Sequence, residues 1–303
     1  MGTMVGHVAP GFGFFLIGLW HLINHIKLHS LHPNSYRSLP WFPASKIRYL
    51  ELFLIMGGSF LSISMEHLMG PSRHQRFDPE SFGYSSITMA LFIYATFSIL
   101  IDQIGPKAQY GLTLLLGAMP FIQQLLFFHF HSGTHMGIES QYHLLLELII
   151  LVCLITTLMA IGYPKSFFVS FVRSLAILFQ GLWFVVMGFM IWTPSLTPRD
   201  CFMNKEAGHH VVRCHSDEAL ERAKSVVNIQ FSWYFMGVTV FAVSLYLFLG
   251  KIYPEKVEYA SLTNSEESGE EHEDVEAQKE SKLSESKSFI PLGEPFAPFE
   301  MAR

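Results

Sequence analysis

Seven stretches of predominantly apolar residues follow one another along the chain, and short polar segments separate them. Each stretch reaches roughly the 20 residues that an α-helix needs to cross the hydrocarbon core of a bilayer. Neither the alternation typical of half-buried strands nor an internal repeat is visible. The pattern therefore predicts an all-α fold, a polytopic membrane protein built as a bundle of seven transmembrane helices. The predicted spans cover about residues 7–26, 47–69, 82–101, 110–130, 142–161, 167–192 and 226–250.

The composition agrees with a membrane domain followed by a polar tail. The 303 residues are 50% hydrophobic and only 15% charged, whereas soluble domains carry about 25% charged residues. Residues 254–303 hold 13 Asp or Glu against 5 Lys or Arg, and no basic patch suggests nucleic acid. We therefore divide the chain into a transmembrane domain, residues 1–253, and an acidic tail, residues 254–303. The tail is too poor in aliphatic residues to fold, so we expect it to be disordered and open to cytosolic partners.

The distribution of Lys and Arg predicts the orientation in the membrane. With the N-terminus outside, nine basic residues flank the cytosolic side and seven lie on the other side, five of them in one long loop. This bias predicts a luminal or extracellular N-terminus and a cytosolic C-terminus, in an endomembrane or the plasma membrane. We expect the first span to be a retained helix rather than a cleaved signal peptide. The long loop carries Cys201 and Cys214, which we expect to form a disulfide in an oxidising lumen.

Polar residues concentrate at the ends of alternate spans and therefore at one leaflet. Five helices bring imidazoles, carboxylates or amides to the outer leaflet, because consecutive spans run in opposite directions. His143 and Glu147 are four residues apart, a spacing that places both on one helix face and can chelate a metal ion. Imidazoles with carboxylates are the usual ligands of Zn²⁺, and a buried hydrogen-bond network is the alternative. The candidate metal ligands are His7, Glu66, His129, His131, His143 and Glu147.

A second polar group is expected near the opposite leaflet. Glu51 and Asp102 fall at a similar depth to a stripe of four histidines at helical spacing. We expect this stripe to be interfacial and partly solvated, because Lys27 and Pro33 already mark the exit of the first span. A proton-sensitive or metal-sensitive surface is the alternative. The stripe consists of His21, His25, His29 and His32.

Helical periodicity also predicts which faces point into the bundle. In the second span, Glu51, Gly58, Ser62 and Glu66 form one stripe, which predicts that both carboxylates face the interior. In the sixth span, Gln180 falls at mid-membrane, where its amide needs a partner. We therefore expect Gln180 to bond a neighbouring helix.

Three segments are specific enough to compare with known families. They are Gly6-His7-x-x-Pro10-Gly11, Phe127-Phe128-His129-Phe130-His131 and Gln180-Gly181-x-Trp183-Phe184. Together they resemble the transmembrane-protein-45 family, whose plant members are described as viral-response proteins. The similarity covers about residues 5–250 and leaves only the tail outside. It implies a seven-helix membrane protein of the secretory system, and it implies no settled biochemical activity.

Three classes of function compete for this sequence. The first is a non-enzymatic membrane or trafficking factor, with a bound metal ion as one option. The second is a zinc-dependent membrane-embedded hydrolase acting on a lipid, with Glu66 or Glu147 as ligand or catalytic base; the histidine boxes of membrane desaturases are absent. The third is a transporter or receptor, although paired broken helices are not visible. The bilayer is the expected partner, a lipid is a candidate ligand, and the question of enzymatic activity stays open.

Overall fold

A computed structural model describes residues 4–69, 79–132, 137–206 and 209–254. Within these ranges the side chains of residues 66–69, 79–82, 131–132, 205–206 and 209–210 are not described. Seven α-helices contain most of the described residues, so the all-α prediction is confirmed. They are α1 Met4–Leu31, α2 Leu50–Met69, α3 Pro79–Ile104, α4 Gln109–Ser132, α5 Ile138–Gly162, α6 Phe167–Trp192 and α7 Asp217–Ile252.

Six of the seven helices are long and apolar enough to cross a membrane. The remaining helix is α2. Its side chains are described only over Leu50–Met65, and this apolar stretch is shorter than a membrane span requires. The whole of α2 has 20 residues, and a helix of that length rises about 30 Å. The predicted architecture of several membrane spans is therefore supported, with six candidate spans by length and composition.

Serine caps set where two of the helices begin. The Ser166 hydroxyl accepts a hydrogen bond from the Val169 N–H at 3.3 Å at the start of α6. The Ser216 hydroxyl accepts from the Ala219 N–H at 3.2 Å at the start of α7, and Asp217 follows in the first turn. Both features stabilise a helix N-terminus. They explain why α7 begins at residue 217 rather than at residue 226, where the apolar span begins.

The most extensive helix contact joins α1 to α6. Gly18 of α1 lies against the backbone of Leu178, and Gly181 of α6 lies against the backbone of Phe15. A Cβ atom at either glycine would overlap the backbone of the other helix, so only glycine allows this approach. The helices α2 to α5 pack in chain order beside this pair, and α7 packs on α1, α5 and α6.

An antiparallel hairpin, β1 Cys201–Glu206 and β2 His209–Cys214, joins α6 to α7 and was not predicted from the apolar pattern. Cys201 and Cys214 face each other across the hairpin and form a disulfide, which confirms the predicted bridge. Val212 is buried, and its N–H donates to Glu139 Oε1 at 3.3 Å. The hairpin therefore covers the end of the bundle at which α5 begins. We call this the hairpin end, and we call the opposite end the α1–α2 end.

The predicted inward stripe of α2 is wrong at Gly58 and Ser62, and its last member, Glu66, has a side chain outside the described residues. Glu51 is buried, but Gly58 is exposed and Ser62 is only half-buried. The buried positions further along are Leu52 and Ser59. The packed face of α2 is therefore rotated by one residue relative to the prediction, and Glu51 is buried by the loop that precedes the helix.

Candidate functional site

Four of the six candidate metal ligands are described, and all four lie at the hairpin end. His7, His143 and Glu147 are buried, with exposed fractions of 3%, 5% and 8%. The His7 and His143 rings are 6.3 Å apart between centroids, and His129 Nδ1 lies 3.3 Å from Glu147 Oε2. The His129 side chain is 70% exposed. His7 therefore lies close to His143, and His129 lies close to Glu147.

His143 is held in a defined orientation. Its Nδ1 lies 2.9 Å from the Glu139 carbonyl oxygen of the same helix. A carbonyl only accepts, so Nδ1 carries a proton, and in the neutral ring Nε2 presents a lone pair. The His143 ring stacks on Phe128 with a centroid separation of 5.4 Å, and the His7 ring lies 4.6 Å from Trp192. Aromatic contacts therefore orient both imidazoles.

In the part of the chain that the structure describes, no three His, Cys, Asp or Glu side chains are arranged to hold a metal ion. Zinc sites in proteins use at least three protein ligands. The two pairs at the hairpin end do not supply such a set by themselves. The other two candidates, Glu66 and His131, have side chains outside the described residues. The zinc site and a catalytic role for Glu66 or Glu147 stay predictions.

A second polar group is buried at the α1–α2 end, and we call it the Arg173 cluster. Its members come from α1, the loop between α1 and α2, α2 and α6. Their exposed fractions range from 0% to 7%. Ionisable groups inside a membrane bundle are costly unless they are paired, so their contacts decide what the cluster can do. The members are His21, His25, Tyr36, Glu51 and Arg173.

Both oxygens of Glu51 are engaged. His21 Nε2 donates to Oε1 at 2.6 Å, and the Phe42 N–H donates to Oε2 at 3.0 Å. A carboxylate only accepts, so His21 carries a proton on Nε2. These bonds join α1 to α2 and hold the loop at Phe42 against the start of α2.

His25 lies between a donor and a hydroxyl, and this decides its protonation. Arg173 Nη2 lies 3.3 Å from His25 Nε2 and also donates to the Leu39 carbonyl oxygen at 3.1 Å. A guanidinium only donates, so His25 Nε2 accepts and the ring is neutral. The ring proton is then on Nδ1, which donates to the Tyr36 hydroxyl oxygen at 2.9 Å. Burial raises the pKa of Tyr36 to about 12, so this hydroxyl stays protonated.

The expectation of a solvated histidine stripe is wrong for its first half. His21 and His25 are buried, whereas His29 is half-buried and His32 is exposed. The cause is the loop of residues 32–49, which folds back over the end of the bundle. The N–H of Ser38 in this loop donates to a carbonyl between α5 and α6, that of Pro164, at 2.7 Å. The buried side chains of the loop are Tyr36, Ser38, Trp41 and Phe42.

A pocket of about 70 Å³ lies beside the Arg173 cluster and is lined by residues of all helices from α1 to α6. A dry cavity of about 150 Å³ accommodates benzene, so this pocket accommodates a group of a few heavy atoms. The surface that lines it is almost entirely apolar and includes Phe14, Ile17, Phe121 and Ile177. Three polar residues also border the pocket, namely His21, Glu51 and Arg173.

Two of the polar residues that border the pocket have a buried atom without a hydrogen-bond partner among the described residues. These atoms are His21 Nδ1 and Arg173 Nη1. An unpaired buried polar atom costs about 1–3 kcal/mol, and such atoms are rare in native proteins. Both residues border the pocket, and both atoms are themselves enclosed by protein.

Gln180 and Gln124 form a polar pair deeper in the bundle. Gln180 Nε2 donates to Gln124 Oε1, which joins α6 to α4 and confirms the predicted interhelical bond of Gln180. Gln124 follows the pocket residue Phe121 by one helical turn, and Gln180 follows Ile177 by one turn. The polar interior of the bundle therefore extends one turn beyond the pocket.

Arg173 and Tyr36 were not predicted as site residues, although one of them carries a sequence signal. Arg173 is the only charged residue in α6, and an arginine within a membrane helix is by default a functional candidate. Tyr36 lies in a loop, where its type and position carry no such signal. The path of the loop alone brings it to His25.

Residues 110–247 match a family of unknown function (DUF716). The matched region runs from the start of α4 into α7 and includes Arg173 and the Gln124–Gln180 pair. The transmembrane-protein-45 proteins fall within this family, so the match over residues 110–247 agrees with the resemblance in that region. The family has no assigned function, and the function of this chain must therefore be argued from its site.

Proposed function

We propose that this chain is a non-enzymatic membrane protein that binds a small molecule inside its helix bundle, in the pocket beside the Arg173 cluster. One observation carries the proposal: a space with mostly apolar walls lies between the helices, and two residues that border it, His21 and Arg173, each have a buried atom without a partner within the described ranges. A polar network with only a structural role would be more stable without the space and without the unpaired atoms, because close packing and complete hydrogen bonding both stabilise a protein interior. A binding site requires both a space and polar atoms that face no competing partner.

The bonding within the Arg173 cluster favours binding over catalysis. Both oxygens of Glu51 and both ring nitrogens of His25 are engaged by neighbouring groups. Neither residue therefore offers a base that could take a proton from a substrate, and among the ring nitrogens of His21 and His25 only His21 Nδ1 has no partner in the described ranges. Cys153, which is outside the disulfide, is buried. These contacts support a receptor, carrier or trafficking factor rather than an enzyme.

We infer seven membrane spans and a protein of the transmembrane-protein-45 type in the secretory pathway. The length of α2 supports the seventh span. The excess of basic residues on one side supports a luminal or extracellular N-terminus and a cytosolic tail. The Cys201–Cys214 disulfide fits this orientation, because disulfides persist in oxidising compartments.

Protease treatment of sealed microsomes tests the orientation. We expect the protease to remove an epitope fused after Arg303 without detergent, because the tail beyond Pro254 faces the cytosol in this orientation. A soluble luminal protein in the same vesicles is the control and should resist until detergent is added. An epitope that resists together with that control would reverse the orientation.

Filling the pocket tests the binding function. Thr157 lines the pocket from α5, and its hydroxyl donates only to the Cys153 carbonyl of its own helix among the bonds described. Thr157→Met should reduce the amount of co-purified ligand roughly tenfold, because overpacking a filled site costs about 1–3 kcal/mol. The measurement is mass spectrometry of small molecules extracted from protein purified from native membranes.

The matched control is Thr156→Met. Thr156 is the neighbouring buried threonine, its hydroxyl also bonds its own helix, and it is not among the residues that line the pocket. This variant should retain the ligand. Equal ligand content in both variants, or wild-type protein without any bound small molecule, would contradict the proposed function.

A zinc-dependent lipid hydrolase is the second candidate function. The contact between His129 and Glu147 and the burial of His7 and His143 at the same end favour it. These residues would hold the ion together with Glu66 and His131, and bound zinc would supply an activated water. Glu66 or Glu147 would then serve as ligand or base.

Metal analysis of the purified protein decides between zinc and a hydrogen-bond network at the hairpin end. In the zinc case the wild type contains about one Zn²⁺ per chain, and Glu66→Gln or His143→Ala removes it and lowers thermal stability. His215→Ala, directly after strand β2 and outside the candidate set, is the control and should keep the metal. If the wild type contains no zinc, this function is ruled out. A loss of stability in Glu66→Gln or His143→Ala would then indicate a hydrogen-bond network.

A further inference from the structure

We infer that the pocket beside the Arg173 cluster opens laterally into the bilayer between α1 and α2, and that the end of a lipid hydrocarbon chain enters it there. The inference rests on the proposed binding function of the pocket and specifies the class of ligand and its route. It follows from the order in which the helices pack, from the open space at one gap between them and from the apolar lining.

The helices that line the pocket form a ring that helix packing leaves open at one place. Each helix from α2 to α5 packs on the next along the chain, and α6 packs on α1. Only α1 against α2 would complete the ring, and over the described residues this pair shows no comparable packing. The hydrogen bond from His21 to Glu51 joins the two helices at the α1–α2 end. We call the gap between α1 and α2 the lateral seam.

On α2, the face that lines the pocket continues into open space. Glu51 and Ile55 line the pocket, and Gly58 and Ser62 follow them on the same stripe at helical spacing. Gly58 is exposed, and a Cβ atom there would meet no described atom within 4 Å outside its own helix and its chain neighbours. The described part of the stripe that was predicted to face inward therefore borders the lateral seam.

On α1, the wall of the pocket also ends at open space. Phe14 and Ile17 line the pocket, and both are half-buried. Gly13 lies one turn before Ile17 on the same face, and a Cβ atom there would likewise meet no described atom within 4 Å outside its own helix and its chain neighbours. Trp20, about one turn after Ile17, is exposed. Both walls of the lateral seam therefore pass from the pocket to surface that the bilayer would cover.

The lining selects hydrocarbon as the group that enters. It is almost entirely apolar, and the unpaired atoms of His21 and Arg173 are enclosed by protein. A polar group in this space would lose its hydrogen bonds to water without replacing them, whereas a hydrocarbon chain loses none. A pocket of about 70 Å³ accommodates a few heavy atoms, so only the end of a chain enters and the rest lies along the lateral seam.

Two sources can supply such a chain. One is an acyl chain of a membrane phospholipid, and the other is a free long-chain molecule dissolved in the bilayer. A helix of a second copy could cover the lateral seam at Gly58, but a helix is about 10 Å wide and cannot enter the pocket. The hydrocarbon chain is therefore the occupant that explains the seam and the pocket together.

The test uses the purified full chain in phosphatidylcholine nanodiscs that contain a photoreactive probe. One probe is a phosphatidylcholine with a diazirine at the end of one acyl chain, and the other is a long-chain alcohol with a diazirine at the same end. Mass spectrometry after irradiation locates the labelled residues. We expect labels at the buried pocket residues Phe121 and Ile177 as well as at Leu115, which is exposed on α4. The probe that labels Phe121 at the lower mole fraction identifies the source.

Gly58→Phe places a ring in the lateral seam. Labelling of Phe121 should fall roughly tenfold, because the chain would have to overpack an occupied space, while labelling of Leu115 should stay the same. Gly57→Phe is the matched control. Gly57 is also exposed and also borders open space, but it points about 100° away from Gly58 around α2. This control should be labelled like the wild type, and unchanged labelling of Leu115 shows that both variants are folded.

The inference is overturned if neither probe labels Phe121 or Ile177 in the wild type, or if Gly58→Phe is labelled there as strongly as Gly57→Phe. It is also overturned if each nanodisc holds two wild-type chains but one Gly58→Phe chain, because a second copy would then cover the lateral seam. These results differ from a failure of the binding function itself. A small molecule that is lost in Thr157→Met, from a protein that neither probe labels in the pocket, would preserve the proposed function and remove only this inference.

Discussion

Gly181→Ala is expected to lower the thermal stability of the purified protein strongly, because α1 and α6 are in contact through their backbones. The added Cβ would lie 2.6 Å from the Gly11 carbonyl oxygen and would overlap the backbone of Phe15. Backbone atoms cannot turn aside as the end of a side chain can. The loss of stability should therefore be at least the roughly 1–3 kcal/mol that is typical of overpacking. Gly18→Ala should act in the same way, because its Cβ would overlap the backbone of Leu178.

Gly13→Ala is the matched control in α1. A Cβ at Gly13 would meet no described atom within 4 Å, apart from its own helix and its chain neighbours. Alanine favours a helix over glycine by about 1 kcal/mol, so this variant should be unchanged or slightly more stable. Thermal melting in one detergent, followed by size-exclusion chromatography, compares the three variants. A Gly181→Ala protein as stable as Gly13→Ala would show that α1 and α6 do not pack through these glycines.

Arg173→Ala is expected to destabilise the protein by about 3–5 kcal/mol, the range for breaking a buried charged network. The change leaves His25 Nε2 and the Leu39 carbonyl oxygen without the donor they share. It also removes the positive charge that compensates Glu51 in the interior. The stability of Arg173→Lys should lie between that of the wild type and that of Arg173→Ala, because an ammonium keeps the charge but cannot reproduce the planar geometry of the guanidinium hydrogen bonds. Thermal melting at pH 7.5 measures the order of the three proteins.

Arg48→Ala is the control for the loss of a positive charge. Arg48 Nη2 lies 2.9 Å from Asp102, but the Arg48 side chain is 64% exposed. Ion pairs with a solvent-exposed partner contribute about 0–1 kcal/mol, and Asp102 keeps hydrogen bonds from Tyr49 and Gln109, so this variant should remain close to the wild type. If Arg48→Ala lost as much stability as Arg173→Ala, burial of the Arg173 cluster would not explain its contribution to stability. Unchanged stability in Arg173→Ala would contradict the buried network directly.

The sequence by itself determined the features that depend on local runs of residues. Membrane crossing requires only an apolar segment of sufficient length, so the helices and their alternating directions across the bilayer follow from the hydrophobic pattern. The same alternation places His7, His129, His143 and Glu147 at one end. The Cys201–Cys214 bridge was predictable because two cysteines share one loop, and the bond of Gln180 because a mid-membrane amide needs a partner.

The tertiary structure alone decided which of the buried polar groups meet. The loop of residues 32–49 folds back over the bundle, and this turns His21 and His25 from an expected interfacial stripe into members of the Arg173 cluster. The packed face of α2 is rotated by one residue, so the stripe through Gly58 misidentifies it. Both outcomes depend on contacts between residues far apart in sequence, because loop conformation and helix rotation are set by the neighbours that they pack against. The close α1–α6 contact at Gly18 and Gly181 is a third such outcome, because no local pattern of apolar residues specifies it.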